Sequence, residues 1–421
     1  MMRQINREWR FMLRQRYVMV ILLCSFLVST FSVTTGLSEV NAQRQTIERL
    51  KQADIIDRTK AQAKYDDAGS LAYYSFHLVY SEPSNLAFAA LGERDVYPWK
   101  HRIRMLALEG QIYESDAQNA ELAQAGKIDF AFVISVLSPF FLILLFHDLI
   151  ASERASGRHN LLVTTAKSVY ALWGARAAVR FGAIFLCVLL PFYIGAAISD
   201  AALGAVLQIT LWCFLYFAFW TALSIYLGRN ANSAPRIASA LIGLWALFAF
   251  VIPILGDLTI EQSIQAPKGS DILLTQREAV NDAWDLPVET TMEAFVAKHP
   301  EYKNDTNVEG GFEWKWYYAF QQVGDQVAAP ISKEYRAAAH KKHDLAGYVS
   351  FFAPPMLIQR KMAEIAQTDA VAAFEYEQNI RDFHKSLRLF YYPWLFRHDE
   401  FDKSQLNLMP QFEQTLINSK N

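Results

Sequence analysis

His340 and His343 fall one helical turn apart, the spacing at which two imidazoles could share a metal ion. Lys341 and Lys342 beside them disfavour a cation and no third ligand is evident, so the pair reads as a solvated helix face. Arg397-His398-Asp399-Glu400 offers carboxylates on a turn, but a calcium site needs more oxygens at defined spacing. The chain contains neither a G-x-x-x-x-G-K-[ST] phosphate cradle nor an H-E-x-x-H zinc motif. Cys24, Cys187 and Cys213 all lie inside long apolar runs, where they serve packing rather than a disulfide framework or a zinc site. The expectation is a chain with no catalytic residue, no metal and no cofactor of its own, whose energy comes from elsewhere.

The composition of the 421 residues says where such a chain resides. It is 52% hydrophobic and 19% charged, more apolar than a soluble enzyme, and this balance points to a membrane. Its 40 Lys+Arg against 42 Asp+Glu give a formal charge of −2, with no global basic field, which argues against a nucleic-acid partner. Five runs are long and apolar enough to span a bilayer core of about 30 Å: residues 17–36, 128–147, 178–198, 202–227 and 237–255. The first exceeds a signal-peptide core and lacks a clean small-x-small cleavage site, so it reads as an anchor. The fold class is therefore an α-helical polytopic membrane protein.

Direction follows from the Lys and Arg that flank the runs. Residues 1–16 hold Arg3, Arg7, Arg10, Arg14 and Arg16 against the single acid Glu8. The loop 148–177 holds Arg154, Arg158, Lys167 and Arg176, and the link after the fourth run holds Arg229 and Arg236, whereas the link around Ser199-Asp200 has no basic residue. The N-terminus then lies in the cytoplasm and segments 38–127 and 256–421 lie outside, which places the C-terminus and more than half the chain on the extracytoplasmic side of a bacterial inner membrane.

Both outer segments read as mostly helical and together form one extracytoplasmic domain. In the first, Val40, Ile47, Leu50 and Ile55 recur by roughly whole turns, which predicts that the first span continues outward as a helix before a small lobe punctuated by Pro83, Gly92 and Pro98. In the second, helices are expected over Trp314–Gln322, Ala328–Lys342 and Met356–Arg388, with loop signals at Gly324 and Pro354-Pro355. The run Leu389 to Phe396 is too short to span and contains Pro393, so it is either an interfacial aromatic patch or core packing of the outer domain.

Arg3, Arg7, Arg10 and Arg14 share one face of a helix, opposite Ile5, Trp9, Met12 and Leu13. Such a helix lies along the inner interface, where the arginines either set topology and reach lipid phosphates or also touch a cytoplasmic partner. Ser25, Ser29, Ser32 and Gly36 form a small-residue stripe in the first span that suits close helix packing or, alternatively, lines a path. Asp129 and Asp148 stand at the two ends of the second span, as solvated helix ends.

The link HDLIASERASGRHNLLVTTAKSVYALWGARAAVR resembles the cytoplasmic loop of ABC-2 type transporter permeases, with Glu153, Arg154, Gly157, Leu161, Leu162 and Thr165 in the places of that family's motif. Ala155, Arg158 and Ala166 depart from it. Ala87 to Pro98 and Gly126 to Val133 resemble a branch of the family with large outer loops, as do Ala353-Pro354-Pro355 and Thr368-Asp369. The resemblance implies a coupling helix that docks in a groove of a separate cytoplasmic ABC ATPase, where ATP and Mg would bind. It also implies pairing with a second permease copy or a related permease. For that contact Glu153 and Arg154 would supply a charged pair on an exposed turn, Gly157 close backbone approach, and Leu161 and Leu162 apolar contact. The family commonly has six spans and this chain shows five, so either the last return span is absent or the chain ends early.

The leading expectation is the membrane subunit of an ATP-driven exporter, with a periplasmic partner for its outer domain. The alternatives are a permease-like chain that uses ATP-driven motion for assembly or maturation without net transport, and an anchored sensor or scaffold.

Overall fold

The computed structural model describes residues 2–113, 128–166, 168–229, 233–397 and 400–412. Its frame is a helical bundle with a lobe at one end. In chain order the helices are α1 (Met2–Leu13), α2 (Arg16–Lys64), α3 (Ala68–Tyr74), α4 (Leu108–Tyr113), α5 (130–146), α6 (Ala151–Ala155), α7 (Arg158–Thr165), α8 (Val169–Ile198), α9 (Leu203–Gly228) and α10 (Ala234–Ser263). The lobe adds α11 (Gly269–Asp282), α12 (Val288–Val296), α13 (Trp314–Phe352), α14 (Pro354–Ile365) and α15 (Ala370–Phe396). One antiparallel pair, β1 (His77–Tyr80) with β2 (Lys100–Ile103), sets His77 opposite Ile103.

Five helices, those that contain α2, α5, α8, α9 and α10, are long and apolar enough to cross a membrane. α2 runs unbroken for 49 residues, about 73 Å at 1.5 Å per residue, so its second half leaves the bundle and enters the lobe. Val40 and Ile47 are buried there as expected, but Ile55 is 57% exposed and the inward position nearby belongs to Asp54, which accepts from the Leu78 amide at 3.0 Å.

Local sequence explains the irregular turns. Pro139 has no amide to offer the Ser135 carbonyl, and α5 adopts a π-helical turn over Val133–Leu137 just before it. The carbonyls freed in this way are met from neighbouring helices: the Tyr216 hydroxyl donates to Ser135 O at 2.6 Å and Trp245 Nε1 to Val136 O at 3.1 Å. Pro191 lies inside α8, which stays continuous, and the Ser29 hydroxyl of α2 donates to the Val188 carbonyl at 2.6 Å.

Two cores are distinct. The bundle core contains Val18, Leu22, Ile184, Phe192, Phe217 and Trp220, and it also takes in the lobe-end segment Leu86–Leu91 and, from α14 and its C-cap, Ile358, Met362 and Ala366. The lobe core is aromatic, built on Phe295, Tyr318, Tyr376, Tyr391, Tyr392 and Phe396, with the Phe295 and Phe396 rings stacked at 4.4 Å. Leu389 to Phe396 therefore packs the lobe core through four buried side chains, Tyr391, Tyr392, Leu395 and Phe396.

Several boundaries differ from expectation. α8 begins at Val169 rather than 178, because Arg176 and Arg180 end the apolar run without ending the helix; Ser168 caps it by accepting from the Ala171 amide at 3.3 Å. α13 passes straight through Gly324 and Pro330. A Cβ at Gly324 would lie 2.6 Å from Val280, so this glycine permits close contact with α11 instead of marking a loop. The expected helix over Met356–Arg388 is broken at Gln367, whose φ is +55°, and restarts where Asp369 caps α15. Among the described residues no helix after Ser263 is long and apolar enough to span. The chain instead turns at Ala353, and α14 packs on α9 and on the π-helical turn of α5.

Candidate functional site

The bundle end that carries the N-terminus gathers the loop residues singled out above. α5 ends at Phe146, and two short helices follow before α8. The joint between them is Gly157, whose φ of +70° is left-handed backbone that a side chain would strain. A Cβ there meets nothing within 4 Å, so the joint is open to an incoming surface.

Glu153 does not lie on an exposed turn. It is 4% exposed, and its carboxylate accepts from Arg176 Nη1 at 2.9 Å and from Arg158 Nε at 2.8 Å. Arg176, 7% exposed, also donates through Nε to Glu8 at 2.9 Å, and Glu8 accepts from Arg7 at 3.3 Å. Phe11 and Trp173 lie 5.3 and 5.2 Å from the Arg176 guanidinium, with which they make cation–π contacts. The fork of one arginine thus ties α1, α6 and α8 together, and Arg158 extends the tie to α7. Removing one partner from such a buried set costs roughly 3–5 kcal/mol, since a charge is left without its counterion.

A second polar node stands beside the first. Arg180 reaches the Leu145 carbonyl, Asp148 at 3.3 Å, Gln15 at 3.2 Å and the Tyr17 hydroxyl at 3.3 Å. Asp148 is consequently a partner of α8 rather than a solvated helix end. Arg154 donates to the Arg229 carbonyl at 2.7 Å, which joins the two basic links.

The outward surface is what remains. Leu161 is 64% exposed, Leu162 is half-buried, and Tyr170 at the start of α8 is 91% exposed. On α1, Arg7 and Arg10 are exposed, as are Arg14 just beyond it and Ile5, Trp9 and Leu13 on a different face, while Glu8 and Met12 point inward. Met12 therefore leaves the apolar face assigned to it from sequence and joins the bundle core. Arg3 lies in the α1 backbone, and its side chain is outside the described residues.

The small-residue stripe faces protein. Ser25, Ser29, Ser32 and Gly36 are all buried, and a Cβ at Gly36 would sit 2.1 Å from the Phe88 carbonyl oxygen. A Cβ at Gly195 on α8 would lie 2.7 Å from the Phe88 ring. The two glycines make room for Phe88, which the Leu86–Leu91 segment wedges between α2 and α8.

At the lobe end, motifs far apart in sequence converge. Asp129 accepts from the Phe132 amide, capping α5, and from the Leu91 amide, both at 2.8 Å. Thr368 donates its hydroxyl to the Ala90 carbonyl at 2.8 Å and accepts from the Glu93 amide at 2.8 Å through its own carbonyl. Gly92, with φ +52°, lets the Thr368 carbonyl approach. Asp129 is thus a buried junction residue and not a solvated end. Gly126 and Lys127 lie outside the described residues, as do His398 and Asp399 of the carboxylate-bearing turn.

His340 lies against the Phe374 ring at 4.3 Å and His343 meets Arg360 Nη2 at 3.2 Å, so the two imidazoles serve different neighbours. Among the described residues no group of three or more His, Cys, Asp or Glu could hold a metal ion. Sequence reasoning passed over Glu8, Arg158 and Arg176 as functional residues. The signal was present in Glu8, the only acid among five arginines, one turn from the inward-facing Met12.

Residues 271–415 match the model of a family described as a domain of unknown function, DUF3526. The match lies in the second lobe segment and covers none of residues 153–162. No curated protein and no solved structure matches the chain.

Proposed function

We propose that this chain is the transmembrane subunit of an ATP-driven exporter of the ABC-2 type, coupled to a separate cytoplasmic ATPase through α6 and α7. In this reading the N-terminus is cytoplasmic, the lobe is extracytoplasmic, and two permease chains pair in a bacterial inner membrane. ATP and Mg bind the partner ATPase, and Ile5, Trp9 and Leu13 on α1 rest in the bilayer interface.

The observation that carries the proposal is the buried Glu8–Arg176–Glu153 set, joined from the surface by the exposed Arg158. It fastens two short helices rigidly to a spanning helix while leaving Gly157 and Leu161 outward. A partner that pushes on α7 then moves α8 as a rigid body, which is what coupling by docking requires. Glu153 acts here as a fastening residue, and the docking contact falls to Gly157, Leu161 and Leu162, with Arg154 holding the neighbouring link.

The test is gentle purification from native membrane, with mass spectrometry of what accompanies the chain and an ATPase assay. A P-loop ATPase in near one-to-one ratio, lost with Gly157→Trp and Leu161→Glu while the chain still inserts, is the expected result. If no ATPase accompanies the chain in several mild detergents, or if it stays bound to both variants, the reading fails and an anchored sensor or scaffold takes its place.

A further inference from the structure

A small cavity of about 230 Å³ lies in the lobe between α11, α4, the loop that leads into α4 and the first half of α13. Gly110 lets α4 sit directly on α11, since a Cβ there would fall 2.3 Å from Gln276 Oε1. Gln111 braces the loop: its Oε1 accepts from the Arg104 amide at 2.9 Å, and its Nε2 donates to the Ala107 carbonyl at 2.9 Å. The wall is thus built from both stretches of chain that make the lobe.

The lining carries two cations, Arg104 and Arg277, and no carboxylate. The half-buried Arg104 guanidinium lies over the Tyr73 and Phe76 rings at 4.9 and 5.2 Å and has no carboxylate partner among the described residues. Rings on its face steady the guanidinium and leave its N–H edge for another group. Arg277 stands exposed at the rim and adds positive charge there. A further donor is deeper. Gln321 is 5% exposed, and its Oε1 accepts from the Ala107 amide at 2.9 Å, which fixes the side chain and makes Nε2 its free end. That Nε2 has no acceptor among the described residues and is not sealed in, so it opens on the cavity that Gln321 lines. A buried amide donor is ordinarily paired, and Gln276 in the same wall follows that rule by giving its Nε2 to Asp325 at 3.1 Å. Leu106, Leu273 and Val280 complete the lining with apolar wall.

We propose that this cavity binds a small aliphatic carboxylate, its oxygens taken by Arg104 and Gln321 Nε2 and its hydrocarbon part set against Leu106, Leu273 and Val280. A guanidinium edge and one amide donor match the two oxygens of a planar carboxylate, and the volume admits only a few carbons beyond it. The chemistry is the same whether the carboxylate belongs to a free acid or ends a peptide. The site goes beyond the coupling reading and needs no ATPase.

The experiment titrates the full chain in phosphatidylcholine nanodiscs with butyrate, followed by saturation-transfer NMR. No ATPase is present, so failure here leaves the coupling proposal standing, and the reverse holds as well. Butyrate is expected to bind saturably, and its neutral isostere butyramide about tenfold more weakly. Gln321→Glu keeps the acceptor for Ala107 but turns the free donor into an oxygen, and it should weaken butyrate about tenfold. Arg104→Gln should do the same, while Arg104→Lys retains part of the affinity. A melting temperature equal to the parent's excludes misfolding, and the two Arg104 variants carry the test if Gln321→Glu does not fold. A tetrapeptide with a free C-terminus is compared with its C-terminal amide. Binding of the free-ended peptide alone, more tightly than butyrate, supports the proposal with a peptide end as the source; weaker binding than butyrate supports it with a free acid. Equal binding of butyrate and butyramide, or parent-like binding of butyrate in the Arg104→Gln variant, overturns the proposal. Sulfate that binds as tightly as butyrate also overturns it, in favour of a site for any small anion.

Discussion

The two ends of the molecule both bury an ionic set, but they use it differently. At the N-terminal end, α6 and α7 are 5 and 8 residues long, and α7 buries no residue at all. With so little apolar surface to bury, these helices are held by Arg176, Arg158 and their carboxylates. In the lobe, Glu109 receives Arg381 Nε at 2.9 Å and the Ser332 hydroxyl at 2.8 Å, while Asp325 receives Arg388 at 2.7 Å. These pairs sit beside an aromatic core that would hold its helices together without them. The ionic set fastens at one end and orients at the other, so the same type of substitution should have local consequences in the first place and global ones in the second.

Arg176→Met offers the largest effect, since it takes the one buried cation from Glu8 and Glu153 and leaves them only the exposed Arg7 and Arg158. A loss of roughly 3–5 kcal/mol confined to α1, α6 and α7 is expected. Hydrogen exchange should show fast amides over 151–165 with an unchanged lobe, and protection lost throughout the chain would erase the distinction between the ends. Arg381→Met is the counterpart. Glu109 keeps Ser332 as a partner, so the cost should be nearer about 2–3 kcal/mol, and it should appear as a lower melting temperature of the lobe as a whole.

Acid sharpens the same contrast. Burial lowers His77 to about 3 and His101 to about 4, and it holds His384 well below its ordinary value. These imidazoles stay neutral in the folded lobe but take up protons in the unfolded chain once the pH falls below about 6.5. Lobe stability is therefore intact above that pH and falls by about 1.4 kcal/mol per pH unit for each such histidine down to its folded pKa. Glu109 adds to this lower down. Burial opposes its ionisation, but Arg381 and Ser332 outweigh burial and hold it below the ordinary glutamate value, so its contribution is present at neutral pH and is lost as acid reaches its folded pKa. His77→Asn should flatten the melting profile between pH 6.5 and 4, and an unaltered slope would remove that histidine from the account.

The smallest stability effects belong to the outward surface. Gly157→Ala should cost about 1–2 kcal/mol through its left-handed backbone alone. Leu161→Glu should stay within about 0.5 kcal/mol of the parent in melting experiments, yet, on the proposed reading, release a bound ATPase. If Leu161→Glu instead destabilised α7, its side chain would be a packing residue and the surface would lose its docking role.

The five long apolar helices were legible because an apolar run of bilayer length has few other interpretations. Their ends were not, and α8 shows why. Arg176 and Arg180 look like the edge of a membrane segment, although each is buried against partners from α1, the α1–α2 junction or the α5–α6 region that no local window contains. Gly324 misled in the same way, since its value is close contact with α11, while the periodicity of α13 alone predicts its helix. The loop 153–165 was legible only as a stretch of chain, and the inward turn of Glu153 depends on Arg158 and Arg176 and could not be seen from spacing. The stripe from Ser25 to Gly36 was correctly suited to close packing; that it accommodates Phe88 required the fold.

The lobe is assembled from two stretches of chain, roughly 38–113 and 264–412, with β1, β2, α3 and α4 from the first completing the core of the second. During synthesis at about 5–20 residues per second, the first stretch must wait at least ten seconds or so for its partner to emerge. Throughout that interval Tyr73, Val79 and the β1–β2 pair lack the aromatic surface that will cover them. The chain thus has an early half-domain to shelter, and a holdase on that side of the bundle would meet residues 65–113 first.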